Sequence, residues 1–462
     1  MSEGTDVPQH QEHSADDFRS DAGGRRAARS RAANRGDTRG DTSGGSGGSS
    51  GGIGRRSVVG AAAVLGGTLL GGGVVGHAVG ASASRGGSGA AGSGGIGPAA
   101  VALGGAEKVA FHGRYQSGIT TPHQAHGTFI GLDLPKGTRR EKIISLLRVL
   151  GDDAERLMSG RAPLGALERD IPRTPANLTV TFGFGPGLFA AAGIPDQCPP
   201  VIADFPAFSL DKLDERWGQT DLVVQVCSDD PITLGYAQRR LIRDARTFSS
   251  PKWVQSGFVN ARGHEPIGTT ARNLMGMRDG SANERDPAQI ADVVWNTGGE
   301  HPWLKDGSML VLRRIAIDME AWDDIEPVAK EISFGRTLTD GLPLTGGDEF
   351  TAVDRTAVDE KGFPVIAPNA HAARAQARSG EERMFRRPFN YIYEADPAAE
   401  PEQGLLFAAY QADLGTAFVP VQKRLDENDA LNTWITHIGS AVYAIPPGIA
   451  QGEYPGQGLL EA

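Results

Sequence analysis

Cysteine is nearly absent: Cys198 and Cys227 are the two thiols in 462 residues. With no CxxC pair they exclude a cysteine-built zinc site and the disulfide framework of small secreted scaffolds. Cys227 ends the apolar run 222–227 and reads as a small buried thiol rather than half of a disulfide. Surplus positive charge is also missing, because 46 Lys and Arg stand against 56 Asp and Glu, a formal net charge of -10. That balance argues against a protein that works by neutralising phosphates, and nucleic acid is not an expected partner. Arg25, Arg26, Arg29, Arg31 and Arg35 are interspersed with polar and acidic residues and read as a solvated, unfolded stretch.

Large apolar residues are almost missing from positions 1–57, so burial cannot offset the entropy of ordering them, and this polar N-region is expected to be disordered. Gly54-Arg55-Arg56-Ser57-Val58-Val59 then opens an uncharged, Gly- and Ala-rich apolar segment. With Ala81-Ser82-Ala83 as a small-residue cleavage site, positions 54–83 read as a twin-arginine export signal. The clustered Gly66, Gly67, Gly71, Gly72 and Gly73 make a poor membrane-spanning helix. The expectation is passage through the twin-arginine translocase to an extracellular, cell-envelope or periplasmic location. That route carries proteins already folded, commonly around a cofactor. Residues 84–106 read as a Gly/Ser linker, leaving 107–462 as the folded domain.

In that domain the hydrophobic pattern predicts strands at 126–134, 178–184, 221–227, 253–259, 309–319, 405–411 and 441–445, and helices at 139–160, 231–248 and 416–425. The β and α segments fall into two similar groups, about 107–260 and 302–462. This predicts an α+β fold with antiparallel sheets and peripheral helices. Between the groups, residues 261–301 form a long loop rich in Gly, Asn, Asp and Arg, where chemistry is often carried.

Within that loop, Gly276-Met277-Arg278-Asp279-Gly280 puts a carboxylate in a tight turn beside glycines that let backbone approach a flat ligand. An Asp-Gly pair is equally at home in an ordinary turn. Of the histidines, His123 and His126 lack a third ligand at metal spacing and read as structural. His371, in Pro368-Asn369-Ala370-His371-Ala372-Ala373-Arg374, is surrounded by small residues that leave room for a bulky planar group, although a loop histidine can also be a surface residue. Arg386 and Arg387 interrupt an apolar strand, so one should point inward, where a buried guanidinium needs a charged partner or ligand.

Five ordered stretches resemble the dye-decolourising peroxidase family, in particular its twin-arginine-exported branch that includes deferrochelatases. They are Phe111-His112-Gly113 with Gly118-Ile119-Thr120-Thr121-Pro122, Leu178-Thr179-Val180-Thr181-Phe182-Gly183, Gly276 to Gly280, Phe334-Gly335-Arg336-Thr337, and Phe385-Arg386-Arg387. The resemblance runs from about Phe111 to Pro447. It implies two ferredoxin-like halves enclosing one haem b, with His371 as the proximal iron ligand and Asp279 and Arg386 as catalytic residues on the peroxide side. It further implies that Gly280, Ser281, Ala282, Arg336, Gln376, Ala377, Arg378 and Arg386 line the haem. Gln376-Ala377-Arg378 stands where the family often has Asn-Pro-Arg, and the short segment that follows leaves Arg387 as the alternative to Arg386.

The activity so implied is reduction of hydrogen peroxide with oxidation of dye-like or phenolic organic reductants, in a protein whose family tends to self-associate as homo-oligomers. Asp279 would shuttle the peroxide proton and Arg386 would stabilise the developing negative charge. His371 would be polarised by an unidentified acceptor at its other ring nitrogen. Trp295 and Tyr391 are candidate surface relays for electrons from reductants too large to enter, although aromatic residues in such positions are more often simply core. Iron release from haem, or a non-catalytic haem carrier, are the alternatives. A carrier would need His371 but gain little from Asp279 and Arg386.

Overall fold

The computed structural model describes residues 104–462 apart from 267, 395–397 and 399. The polar N-region, the twin-arginine segment and most of the linker lie outside the described residues. Among the described residues no helix is long and apolar enough to cross a membrane.

Strand β1 (His126–Asp133), the helix Arg140–Met158, β2 (Thr179–Phe184), β3 (Leu222–Ser228), the helix Pro231–Ala245 and β4 (Ser250–Phe258) form the first half. Both faces of β1, β2 and β3 are buried, so polar side chains among them, Thr179, Thr181 and Gln225 included, are buried as well. The sheet order is β2-β3-β1-β4, antiparallel throughout. That is the order produced when two β-α-β units interleave, as in ferredoxin-like folds. The helix Arg140–Met158 buries Ile143, Leu146, Leu147, Leu150, Ala154 and Leu157 at helical spacing. Pro231 sits in the first turn of its helix, where the Asp230 carboxylate accepts from Thr233 N at 2.7 Å. Between these two helices lie Asp153, Asp244 and Arg240, with Arg240 paired to Asp244 at 3.1 Å. Burial, reinforced by a hydrogen bond to Asp244 and its charge, pushes the Asp153 carboxyl up to about 7.

The second half repeats the plan with β5 (Ser308–Ile317), β6 (Phe385–Arg386), β7 (Phe389–Tyr393), β8 (Glu402–Gln411), the helix Phe418–Asn428 and β9 (Ile435–Ile445). Its order is β9-β5-β8-β7, with β6 also on β8. Pro388, which has no N–H to give a ladder, separates β6 from β7. The two sheets join at both edges, Phe184 opposite Ala444 and Phe258 opposite Asn390. The strands therefore close into a ring. Phe129, Val223, Leu310, Leu312, Leu406, Tyr410 and Tyr443 fill its interior. The interior is tight at Gly131, where a Cβ would stand 2.4 Å from the Trp253 ring.

Several boundaries differ from expectation for local reasons. The strand expected to reach Met319 stops at Ile317, because the Asp318 side chain accepts from Ala321 N at 3.0 Å and opens a short helix, Met319–Asp323. β9 starts at Ile435 rather than 441, since its polar first half still pairs with β5 through a bulge between Arg314 and Ile315. The long loop contains a helix, Pro287–Val294, whose first turn is capped by Asp286 accepting from Ala288 N at 2.9 Å and Gln289 N at 3.1 Å. Cys198 and Cys227 are free buried thiols.

Candidate functional site

Alternation along the second sheet sends Leu310, Leu312, Leu406 and Tyr410 into the ring and Arg313, Ile315, Ile317, Leu405 and Phe407 to the other face. Opposite that face lies the helix Phe418–Asn428, which presents Phe418, Val421, Gln422 and Leu425, one stripe of the helix. They enclose a cavity of about 360 Å³, a size suited to a cofactor. Its walls are mostly aliphatic and aromatic, and its polar groups come from separate stretches of sequence that converge there.

His371 begins the short helix His371–Ala375 and lines the cavity. Its Nδ1 is 2.7 Å from Asp429 Oδ2, and the Asp429 side chain is 1% exposed. The other carboxylate oxygen accepts from Leu431 N at 3.0 Å. Ala430 N donates to Asn369 O at 2.8 Å, fastening the two segments together. A carboxylate at Nδ1 assigns the ring proton to that nitrogen and turns the Nε2 lone pair outward. Burial disfavours a charged imidazole, but Asp429 outweighs it and holds the pKa of His371 above the ordinary histidine value. Among the described residues no three or more His, Cys, Asp or Glu side chains are grouped to hold a metal ion. His371 is placed to act as a single ligand.

Asp279 arrives on the loop after β4. Its N–H donates to Ala271 O at 3.0 Å, and Gly280 follows with φ +134°, a conformation that only glycine adopts readily. Asp279 Oδ1 lies 3.4 Å from Arg386 Nη1, and both side chains line the cavity. Ser281 Oγ donates to Glu349 at 3.1 Å, tying this loop to the one that runs from 341 to 353.

Ser281, Ala282, Arg336, Gln376 and Ala377 also reach the cavity. The guanidinium of Arg336 is largely committed to Gly341 O at 2.8 Å, Glu349 O at 2.8 Å and Thr351 O at 2.9 Å, so it clamps that second loop. Burial, and then the neighbouring Arg386 charge, lower its pKa. Two expected lining residues do not line the cavity. Gly280 is absent from the wall, and a Cβ built there would meet Thr270 Cγ2 at 3.1 Å. Arg378 is exposed, its backbone N–H bound to Glu382 at 2.9 Å.

Arg387 points away from the cavity into a buried polar niche, donating to Thr121 O at 2.6 Å and to Gln124. Adjacent residues thus serve opposite faces, and Arg386 is the arginine at the cavity. Of the two readings of Trp295 and Tyr391, core holds and the surface relay is corrected. Trp295 is buried against Tyr115 with ring centroids 4.0 Å apart. Tyr391 is buried beneath Arg314, its hydroxyl donating to Glu402 at 2.9 Å.

Asp429 lies 58 residues from His371 and was not expected at the site, because nothing in the run Asp-Glu-Asn-Asp singles it out. It also passed over His437, which lines the cavity; burial, and then the Arg313 charge, push its pKa down to about 3.

Two family models match the chain: the N-terminal Dyp-type peroxidase model over residues 116–259 and the C-terminal one over 270–450. A dye-decolorizing peroxidase of Thermobifida fusca is 36% identical over 368 residues, 75% of this chain and 84% of that protein. A deferrochelatase of Yersinia pestis is 33% identical, covering 77% and 86%. The crystal structure of a DyP-type peroxidase from Cellulomonas bogoriensis, 44% identical, superposes with a TM-score of 0.75 over 78% of this chain and 99% of its own. A distant Rhodococcus jostii DypB variant, solved in complex with heme, is 16% identical and shares the fold at a TM-score of 0.53. With matched segments spanning most of the described residues, this chain belongs to the Dyp-type peroxidase family of haem enzymes.

Proposed function

We propose that His371 is the protein ligand of haem b in this cavity, and that Asp279 and Arg386 are the residues that act on hydrogen peroxide. The residues present fit that group. A cavity of about 360 Å³ with apolar walls suits a large flat ring, one imidazole has its second nitrogen fixed by a carboxylate, and Arg336, Arg383 and Arg386 supply positive charge for an anionic ligand. Haem, when bound, supplies the iron that takes up peroxide and the electrons that cleave its O–O bond.

The observation that carries the reading is the pairing of Asp279 Oδ1 with Arg386 Nη1 at 3.4 Å on the wall of the cavity that also holds His371. Asp279 takes the proton from one peroxide oxygen and returns it to the other, so that the leaving oxygen departs as water. Arg386 steadies the carboxylate and stabilises the negative charge that develops as the proton moves. The Asp429 carboxylate orients His371 and raises its donor strength.

The test is an absorption spectrum of the haem-loaded full chain before and after hydrogen peroxide, for the parent protein, Asp279→Ala and His371→Ala. The expected result is a Soret band that shifts with peroxide in the parent, fails to shift in Asp279→Ala, and is weak or displaced in His371→Ala. A normal peroxide response in Asp279→Ala would overturn the assignment. The deferrochelatase relatives support a second reading, release of iron from haem with the ring intact. Ferrous iron and metal-free porphyrin appearing under reducing conditions without peroxide would favour it. Export by the twin-arginine route is part of the proposal; it rests on residues 54–83 and is tested by exchanging Arg55 and Arg56 for Lys and following secretion.

A further inference from the structure

We infer that Asn283 is a positioning residue that sets the Asp279–Arg386 pair, an inference that rests on the peroxide chemistry proposed above. Arg386 stands on β6, a strand of two residues that pairs only with β8. In an antiparallel edge strand alternate residues turn their backbone N–H and C=O away from the sheet, where they need a partner. For Arg386 that partner is one side chain. Its N–H donates to Asn283 Oδ1 at 3.0 Å, and its carbonyl accepts from Asn283 Nδ2 at 2.7 Å. The amide thus acts as a one-residue strand neighbour, while the next residue, Arg387, turns its N–H inward to Ala408 O at 2.7 Å.

Asn283 belongs to the same turn as Asp279. Its own N–H donates to Gly280 O at 2.9 Å, so the carboxylate and the amide are rigidly spaced through Gly280. The following residue repeats the tie, with Glu284 paired to Arg383 at 3.0 Å. Asn283 itself is not among the cavity-lining residues, so it acts only through the backbone it holds. The device joins two segments whose reacting groups, Asp279 and Arg386, are 107 residues apart in sequence. Among the described residues, Asn283 is the side chain that bonds both backbone groups of Arg386 on the outer edge of β6, and so sets its height relative to Asp279.

The test uses the haem-loaded full chain with Asn283→Ala, which removes both bonds, and Asn283→Asp, which keeps the acceptor and loses the donor. Haem uptake and KM for the organic reductant should match the parent. The second-order rate with hydrogen peroxide should fall about 10–100-fold in Asn283→Ala, the effect of a misplacement near 1 Å. It should fall less in Asn283→Asp. Hydrogen exchange at the Arg386 amide should accelerate in Asn283→Ala and stay slow in Asn283→Asp, a readout independent of turnover. An unchanged peroxide rate in Asn283→Ala with the Arg386 amide deprotected would overturn the inference. Failure of both variants to take up haem would do so too, by making Asn283 a folding residue. Parent-like peroxide rates in Asp279→Ala and Arg386→Ala would instead remove the functional reading beneath it, and the exchange result would still report whether Asn283 holds Arg386.

Discussion

Replacing Asp429 by Asn should weaken haem binding without disturbing the cavity. Asn keeps the volume of the side chain and one carbonyl oxygen, but that oxygen must now serve both Leu431 N–H and His371 Nδ1–H, which Asp429 satisfies with separate oxygens at 3.0 and 2.7 Å. A hydrogen bond to a charged group is worth about 1.5–3 kcal/mol and a neutral one about 1 kcal/mol. With the Asp429 side chain 1% exposed, solvent screens little of the difference. A loss of about 1–2 kcal/mol corresponds to roughly 5–30-fold weaker haem affinity. Titration of the haem-free full chain with haem, followed at the Soret band, measures it directly. A less anionic imidazole should also raise the iron reduction potential. Affinity within twofold of the parent, with an unchanged potential, would refute the claim that Asp429 controls the electronic character of His371.

Stability should fall as pH rises from about 4 to about 7 through the helix pair that carries Asp153. Its folded pKa near 7 lies above the unfolded value, so the native state holds the extra proton in that window, and the slope reaches up to about 1.4 kcal/mol per pH unit. Asp153→Asn should flatten that part of the pH profile in denaturant melts. Gly131→Ala should cost about 1–3 kcal/mol, read as a lower denaturant midpoint, because the new methyl meets Trp253 at 2.4 Å. The two adjacent arginines should separate cleanly. Arg386→Ala should slow the peroxide reaction by about 10²–10³-fold at little cost in Tm. Arg387→Ala should lose about 1–3 kcal/mol of stability by orphaning Thr121 O and Gln124, with peroxide reactivity retained.

Much of the frame was legible because it depends on short periodicities. The apolar runs of β1 and β3 and the spacing of Ile143, Leu147 and Leu150 each report a local environment that repeats along the chain. The Asp279-Gly280 turn and the small residues around His371 were visible for the same reason. The partner of His371 was not, because an aspartate at 429 carries no local mark of what it will meet 58 residues away. Arg313 and Asp211 form a buried pair across 102 residues, which neither sequence neighbourhood announces. The ring closure was equally hidden, since pairing Phe184 with Ala444 depends on where two sheets end in space, not on a pattern within either. The choice of Arg386 over Arg387 rested in the sequence on the apolar Phe385 before it alone, since one residue of register decides which of the two faces the cavity.

The cavity wall built partly from β9 also imposes an order of events during biosynthesis. Ile435 and His437 stand in that wall, and β9 is the strand through which Ala444 meets β2. A nascent chain that stops short of β9 has neither a complete wall nor a closed ring, so it offers haem no finished binding place. Haem held between all the walls of this cavity is held only by a chain made through β9, so a check that senses haem bound in that way is at the same time a check that synthesis has passed β9.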